Sequence, residues 1–207
     1  MQMGIDEVDF NGVRRTFSRD VLVVEICQPN LDHFSVIDVP GIVHFSKNQS
    51  SDVQLIQDMI REYLENPRSI ILAVIPATGD PETNQILDLV TKYDPAGERS
   101  LGVFTKPDRV GREEEHLYVN LIDGTTSIRN LEWYVVRNPD QKELDSAEDR
   151  NKLETDFFDR TAPWNALSKD KVGIKSLKAR LKEILPEKIR NEFENVGTPL
   201  YDIQGIQ

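Results

Sequence analysis

None of the 11 glycines in this 207-residue chain is followed by lysine. A Gly-rich phosphate loop needs that pair, because its backbone N–H groups and the lysine together cradle a triphosphate. No such loop lies within the 207 residues. Cysteine is nearly absent as well: Cys27 stands alone, which excludes an internal disulfide and points to a reducing compartment and a buried, inert thiol. Long apolar runs are missing. Residues 70–75 form one of the longest, far short of the ~20 residues a bilayer-spanning helix requires. The opening residues 1–7 have neither the basic start nor the apolar middle of a secretory signal. Positive charge is in deficit, the formal net charge being −11, so neither nucleic acid nor a broad anionic lipid surface is the expected partner. His33, His44 and His116 show no metal-ligand spacing and no paired nucleophile. A hydrophobic share of 38% and a charged share of 29% then describe a soluble, intracellular domain with one core and room for a small appendage.

Strand-like and helix-like segments alternate along what is present. Residues 21–26 and 34–37 are β-rich, and Gln28-Pro29-Asn30 between them suits an antiparallel hairpin. Ser51 to Gln54 has capping-box spacing, and Ile56, Met59, Ile60 and Tyr63 continue one helical face up to Asn66-Pro67. Residues 69–75 form a continuous apolar run, the pattern of a strand covered on both faces. Asp80-Pro81 opens a helix with stripe Ile86, Leu87, Val90 and Tyr93. A strand at 100–104 follows, then a helix with acidic start Glu113, Glu114 and Glu115 and apolar Leu117 and Leu121. Residues 133–136 are a further strand, 153–158 are helical, and Ile174, Leu177, Leu181 and Ile184 mark a later amphipathic helix. Pro186 is expected to break or kink it, with Ile189 and Phe193 starting a new segment. Trp164 reads as core. The alternation predicts a three-layer α/β domain with a largely parallel sheet and ligands at the carboxyl ends of its strands.

Two motifs fall at such ends. Asp38-Val39-Pro40-Gly41 closes the run 34–37. Asp38 suits a residue that holds a water of a magnesium ion, and Gly41 an N–H that approaches a γ-phosphate closely. Alone this pattern is weak, since Asp and Gly at that spacing recur roughly once by chance in a chain this long, and an ordinary turn is the plain alternative. Thr105-Lys106-Pro107-Asp108 closes the run 100–104. A carboxylate there can accept from both the ring N–H and the exocyclic amine of guanine, a pairing adenine does not offer, while the lysine stem lies along the base. Its plain alternative is a turn with Pro107 fixing φ. Arg137-Asn138 after the next strand suits the far side of a base pocket or, equally, a polar loop. The order of the two motifs, each capping a predicted strand, is what strengthens them.

On these residues the chain resembles the GTPase domain of the dynamin superfamily, in its dynamin-like and Mx-like branch. The likeness runs through residues 17–22, 35–42, 71–77, 94–108, 133–138 and from Gly173 onward. The resemblance implies a three-layer, P-loop-NTPase-like GTPase fold of the α/β class, incomplete here because its first strand and first helix are missing. It also implies an N-terminal remnant at 1–16, a partial GTPase domain at 17–185, and the start of a helical bundle segment at 186–207, with Pro186 as hinge. By position Asp38 would serve the magnesium ion through water and Gly41 the γ-phosphate. Thr105, Lys106 and Asp108 would form the guanine site, closed by Arg137 and Asn138. GTP and Mg2+ are the implied ligands. Implied partners are the chain itself or related dynamin-like proteins through the GTPase domain, with membrane or microtubule association, in the cytoplasm or peripherally at an organelle membrane. The departures are the absent phosphate loop and the absent switch threonine. They lead to an expectation of weak guanine binding and little turnover, with a non-catalytic interaction module as the alternative.

Overall fold

The computed structural model describes residues 21–29, 35–39, 50–146 and 149–197. The chain divides into two compact units, Met1–Asn66 and Pro67–Gln207. In the first, residues 21–28 and 35–39 carry no regular secondary structure, and Val21, Leu22, Val23, Val24, Ile26, Val36 and Ile37 are 56–75% exposed. The hairpin expected at 21–26 and 34–37 is therefore not formed as strands in the described residues. A β-rich run becomes a strand only through a ladder partner and a covered face, and a lone two-stranded ribbon is marginal in water. Cys27 belongs to this exposed segment, which corrects the expectation of a buried thiol. Helix α1, Ser50–Glu65, completes the unit. It begins one residue before the expected cap, so Ser51 already lies in its first turn, and Ile56 and Ile60 are buried on its apolar face.

The second unit is built on three parallel strands in the order β1-β2-β3: Ile71–Pro76, Ser100–Thr105 and Glu132–Val135. Ala73 lies opposite Gly102, and Gly102 opposite Trp133. Glycine is required at 102 by that last neighbour. A Cβ there would stand 2.3 Å from the Trp133 ring, and the ring is itself stacked on Phe104 at 4.2 Å. Helices cover both faces of the sheet, as a three-layer domain requires. On one face Leu101, Val103, Tyr134 and Val136 pack with Leu177 and Leu181 of α6, Gly173–Gly197. On the other, Phe104 meets Tyr118 of α3, Glu115–Ile122, edge-on at 5.0 Å, and α2, Gln85–Tyr93, packs against β1.

Four further differences from the sequence expectation have physical causes. Strand β1 is buried only at Ile71, Ala73 and Ile75, while Val74 is 48% exposed on the opposite face. It is an edge of the described sheet, and its apolar run does not mark cover on both sides. Asp80-Pro81 opens a short 3-10 turn, and Asn84 then caps α2 by accepting from the Ile86 N–H. In α3 the buried set is Tyr118, Leu121 and Ile122, whereas Leu117 is exposed. Pro186 lies inside α6 and does not end it: a proline deletes one helical hydrogen bond and crowds the preceding turn, at a cost of about 3 kcal/mol, while the flanking turns keep their own.

Candidate functional site

The loop that leads into β2 is fixed first. Asp94, at the C-terminus of α2, is buried and accepts from the Glu98 N–H at 3.1 Å, the Arg99 N–H at 3.0 Å and the Ser100 hydroxyl at 2.6 Å. Burial alone would raise its pKa, but the Ser100 hydroxyl and the two backbone donors outweigh that and hold the carboxyl below its usual range. Arg99 spans outward to the carbonyls of Ser69 and Tyr93. The start of β2 is thereby tied to the end of α2 and to the approach of β1.

At the other end of the sheet the strands deliver the predicted residues. Phe104 pairs with Val135, and the Val136 N–H donates to the Phe104 carbonyl at 2.9 Å. The 105–108 turn and the Arg137-Asn138 loop therefore leave neighbouring strands at the same carboxyl edge. The Thr105 hydroxyl lies 3.4 Å from the Ile75 carbonyl, a long bond that braces β2 against β1. Lys106 takes the left-handed conformation, φ 56 and ψ 45, which costs a residue with a Cβ roughly 1–2 kcal/mol. Strain of this kind persists where the surroundings impose it, and it concentrates at ligand sites. Pro107 is buried behind it, and Pro107–Arg109 form a 3-10 turn that carries Asp108 into solvent. Among the described residues the side chains of Lys106 and Asp108 have no hydrogen-bond or ion-pair partner. On the adjacent β1 exit, the Tyr118 hydroxyl donates to the Gly79 carbonyl.

The loop after β3 is held by two helices that sequence reasoning did not connect to it. Glu154 of α5, Arg150–Arg160, is buried and accepts from the Arg137 N–H at 2.9 Å and from the Ile174 N–H at the start of α6 at 2.9 Å. The Arg137 guanidinium is bound to Glu143 at 2.6 Å and lies 5.5 Å from the centre of the Phe157 ring. The hydrogen bond from Arg137, then that from the Asp140 N–H, hold the Glu143 carboxyl below its usual range. Glu143 sits in α4, Gln141–Asp145, where it forms a capping box with Asp140. Arg137 thus enters the site as backbone and strut. Arg150 Nη2 donates to Asn138 Oδ1. The Asp140-x-x-Glu143 spacing could have revealed α4 in the sequence, whereas nothing in it ties Arg150 or Glu154 to residues 137 and 138.

Thr105, Lys106, Asp108, Arg137 and Asn138 are thus gathered at one edge of the second unit. Asp38 is exposed within the first unit, in a segment without strand structure, and Gly41 lies outside the described residues. Among the described residues no cluster of His, Cys, Asp and Glu suited to hold a metal ion is present.

Comparison with known proteins meets this geometry. The model of the dynamin family matches residues 6–107. Phragmoplastin DRP1A of Arabidopsis thaliana is 28% identical over 197 residues, covering 92% of this chain and 32% of that protein. The interferon-induced GTP-binding protein Mx of Ctenopharyngodon idella is 31% identical over 185 residues, covering 86% of this chain and 29% of that protein. The chain belongs to the dynamin family. Dynamin-B of Dictyostelium discoideum, 28% identical over 190 residues, shares 89% of this chain and 20% of its own length. The chain thus spans about a fifth to a third of the length of these relatives. The parallel α/β sheet with helices on both faces is that of a P-loop-NTPase-like dynamin GTPase domain in part.

Proposed function

We propose that the carboxyl edge of β2 and β3 is a guanine-nucleotide site and that the chain is part of a dynamin-like GTPase. One observation carries this: a strained Lys106 and an unengaged, exposed Asp108 follow a strand buried from Ser100 to Phe104 and stand beside the Arg137-Asn138 loop. A carboxylate free of protein partners can accept two hydrogen bonds from the N1–H and 2-amino groups of guanine. In the whole protein the reaction would be GTP and water to GDP and phosphate. The chemistry of Asp38 suits a water-mediated magnesium contact, and Gly41 a γ-phosphate contact. The ion would neutralise charge developing on the phosphoryl group. Self-association or pairing with related dynamin-like proteins, membrane or microtubule attachment, and a cytoplasmic or organelle-peripheral location belong to the same reading.

The 207 residues hold no Gly-Lys pair, so this chain by itself is expected to bind guanine nucleotides weakly and to release negligible phosphate. Titration with GDP and ADP, beside a magnesium-dependent phosphate-release assay, tests both parts. Asp108→Ala should erase the preference for GDP, a loss of at least about tenfold for hydrogen bonds to a charged acceptor. Equal binding of GDP and ADP by the unaltered chain overturns the site, and turnover that disappears in Asp108→Ala overturns the expectation of inactivity. A second reading, a non-catalytic module that captures intact relatives, draws on the exposed apolar residues at 21–26 and 36–37. Under it, the relatives recovered in a pull-down are the same with and without nucleotide.

A further inference from the structure

We infer that Arg150 determines base specificity by fixing the orientation of the Asn138 side-chain amide, so that its NH2 group is presented to position 6 of the purine. The inference deepens the guanine-site reading and rests on it.

Arginine has five N–H donors and no acceptor. The Asn138 atom that meets Arg150 is therefore the carbonyl oxygen Oδ1. That leaves Nδ2, which only donates, as the free end of the amide, and it has no partner among the described residues. Guanine and hypoxanthine carry an acceptor, O6, at position 6, whereas adenine carries a donor, its amino group. A fixed NH2 donates to O6 of the first two bases and faces adenine donor to donor. Asp108, an acceptor, suits the N1–H and 2-amino part of the same base edge. The two residues then have complementary polarity along one edge.

Helix α5 is built to hold this arrangement. Arg150 and Glu154 are four residues apart and share a helix face. Glu154 holds the backbone N–H of Arg137 at 2.9 Å while Arg150 holds the side chain of the next residue. Asp149 caps the helix just before Arg150 by accepting from the Asn151 N–H. The Arg137 guanidinium is occupied by Glu143 at 2.6 Å, which keeps a second cation from competing for Asn138 Oδ1. One helix face thus fixes two consecutive loop residues, one by backbone and one by side chain.

The test titrates the full 207-residue chain with GDP, IDP and ADP in magnesium buffer, by calorimetry or by NMR up to millimolar nucleotide. IDP keeps the 6-keto group and lacks the 2-amino group, so the IDP-to-ADP ratio reports on the N1 and position 6 part of the edge. Arg150→Ala should lower that ratio about fivefold, the worth of one neutral hydrogen bond, by weakening IDP and not ADP. Asn138→Ala should do the same, and the double variant should lose no more than either. Arg150→Lys keeps a donor-only partner and should retain the preference. Arg150 is exposed, so tryptophan fluorescence should report an unchanged fold in each variant, and a merely structural role would leave the nucleotide ratio untouched. An unchanged ratio in Arg150→Ala, or losses that multiply in the double variant, overturns the inference alone. No preference of the unaltered chain for GDP or IDP over ADP removes the guanine site itself, and the inference with it.

Discussion

The two motif carriers, residues 35–38 and residues 100–108, begin as similar sequences: a short apolar run that leads to an aspartate. Their structures diverge. Val36 and Ile37 are 68% and 56% exposed with no strand, whereas every residue from Ser100 to Phe104 is buried in a strand that has a paired neighbour on each side. Asp108 has a defined place because β2 has ladder partners on both sides, helices on both faces and an anchored entry at Asp94. Asp38 has none of these among the described residues. A signature motif is only as well positioned as the strand that delivers it.

The sharpest way to break this contrast is to damage β2 itself. Gly102→Ala places a methyl group 2.3 Å from a Trp133 ring that is stacked on Phe104 and has no room to retreat. The expected loss is about 3 kcal/mol or more, a large share of a domain's total stability. The two tryptophans, Trp133 and Trp164, are both buried in the second unit, so denaturant unfolding followed by their fluorescence measures that unit. An unchanged midpoint would mean that Trp133 is not confined.

A smaller effect is expected at the entry of β2. Asp94→Asn removes a charged acceptor from three donors and should cost roughly 2 kcal/mol. The folded pKa of Asp94 is depressed, so its contribution is fully present above the unfolded pKa of about 3.9 and fades as pH falls through the lower folded value. The stability gap between the wild type and Asp94→Asn should therefore narrow on acidification below about pH 4. A gap that is constant with pH would mean the carboxyl is not held low by its partners.

The smallest effect belongs to the other carrier. Val36→Ser, at a residue 68% exposed, should shift unfolding followed by far-UV circular dichroism, which also reports helix α1 of the first unit, by no more than about 0.5 kcal/mol. A loss as large as that of the β2 variants would show residues 35–38 to be packed, and the contrast would dissolve.

Much was legible without coordinates, and each failure has a cause. The order of α1, β1, α2, β2, α3, β3, α5 and α6 followed from hydrophobic period, caps and prolines, whereas α4 was missed. The motif Thr105-Lys106-Pro107-Asp108 fell at the end of β2 because a buried parallel strand is written as an apolar run followed by polar turn residues. The same rule expected strands at 21–26 and 34–37, where the described residues 21–26 and 35–37 carry none, since an apolar run states a need for partners and not their presence. It also overstated β1, whose Val74 faces outward, and it chose Leu117 where Tyr118, Leu121 and Ile122 are buried. The hold of α4 and α5 on Arg137 and Asn138 joins residues 6 to 17 positions apart, and no local pattern announces it.

The sequence by itself determined most elements of the second unit, their order and the residue types that follow each of its strands, because these depend on neighbours within a few positions. Tertiary structure alone decided which runs found ladder partners, why residue 102 has to be glycine, and which way the Asn138 amide is turned. Those outcomes depend on contacts between atoms far apart along the chain, where burial, donor and acceptor matching and steric exclusion act together.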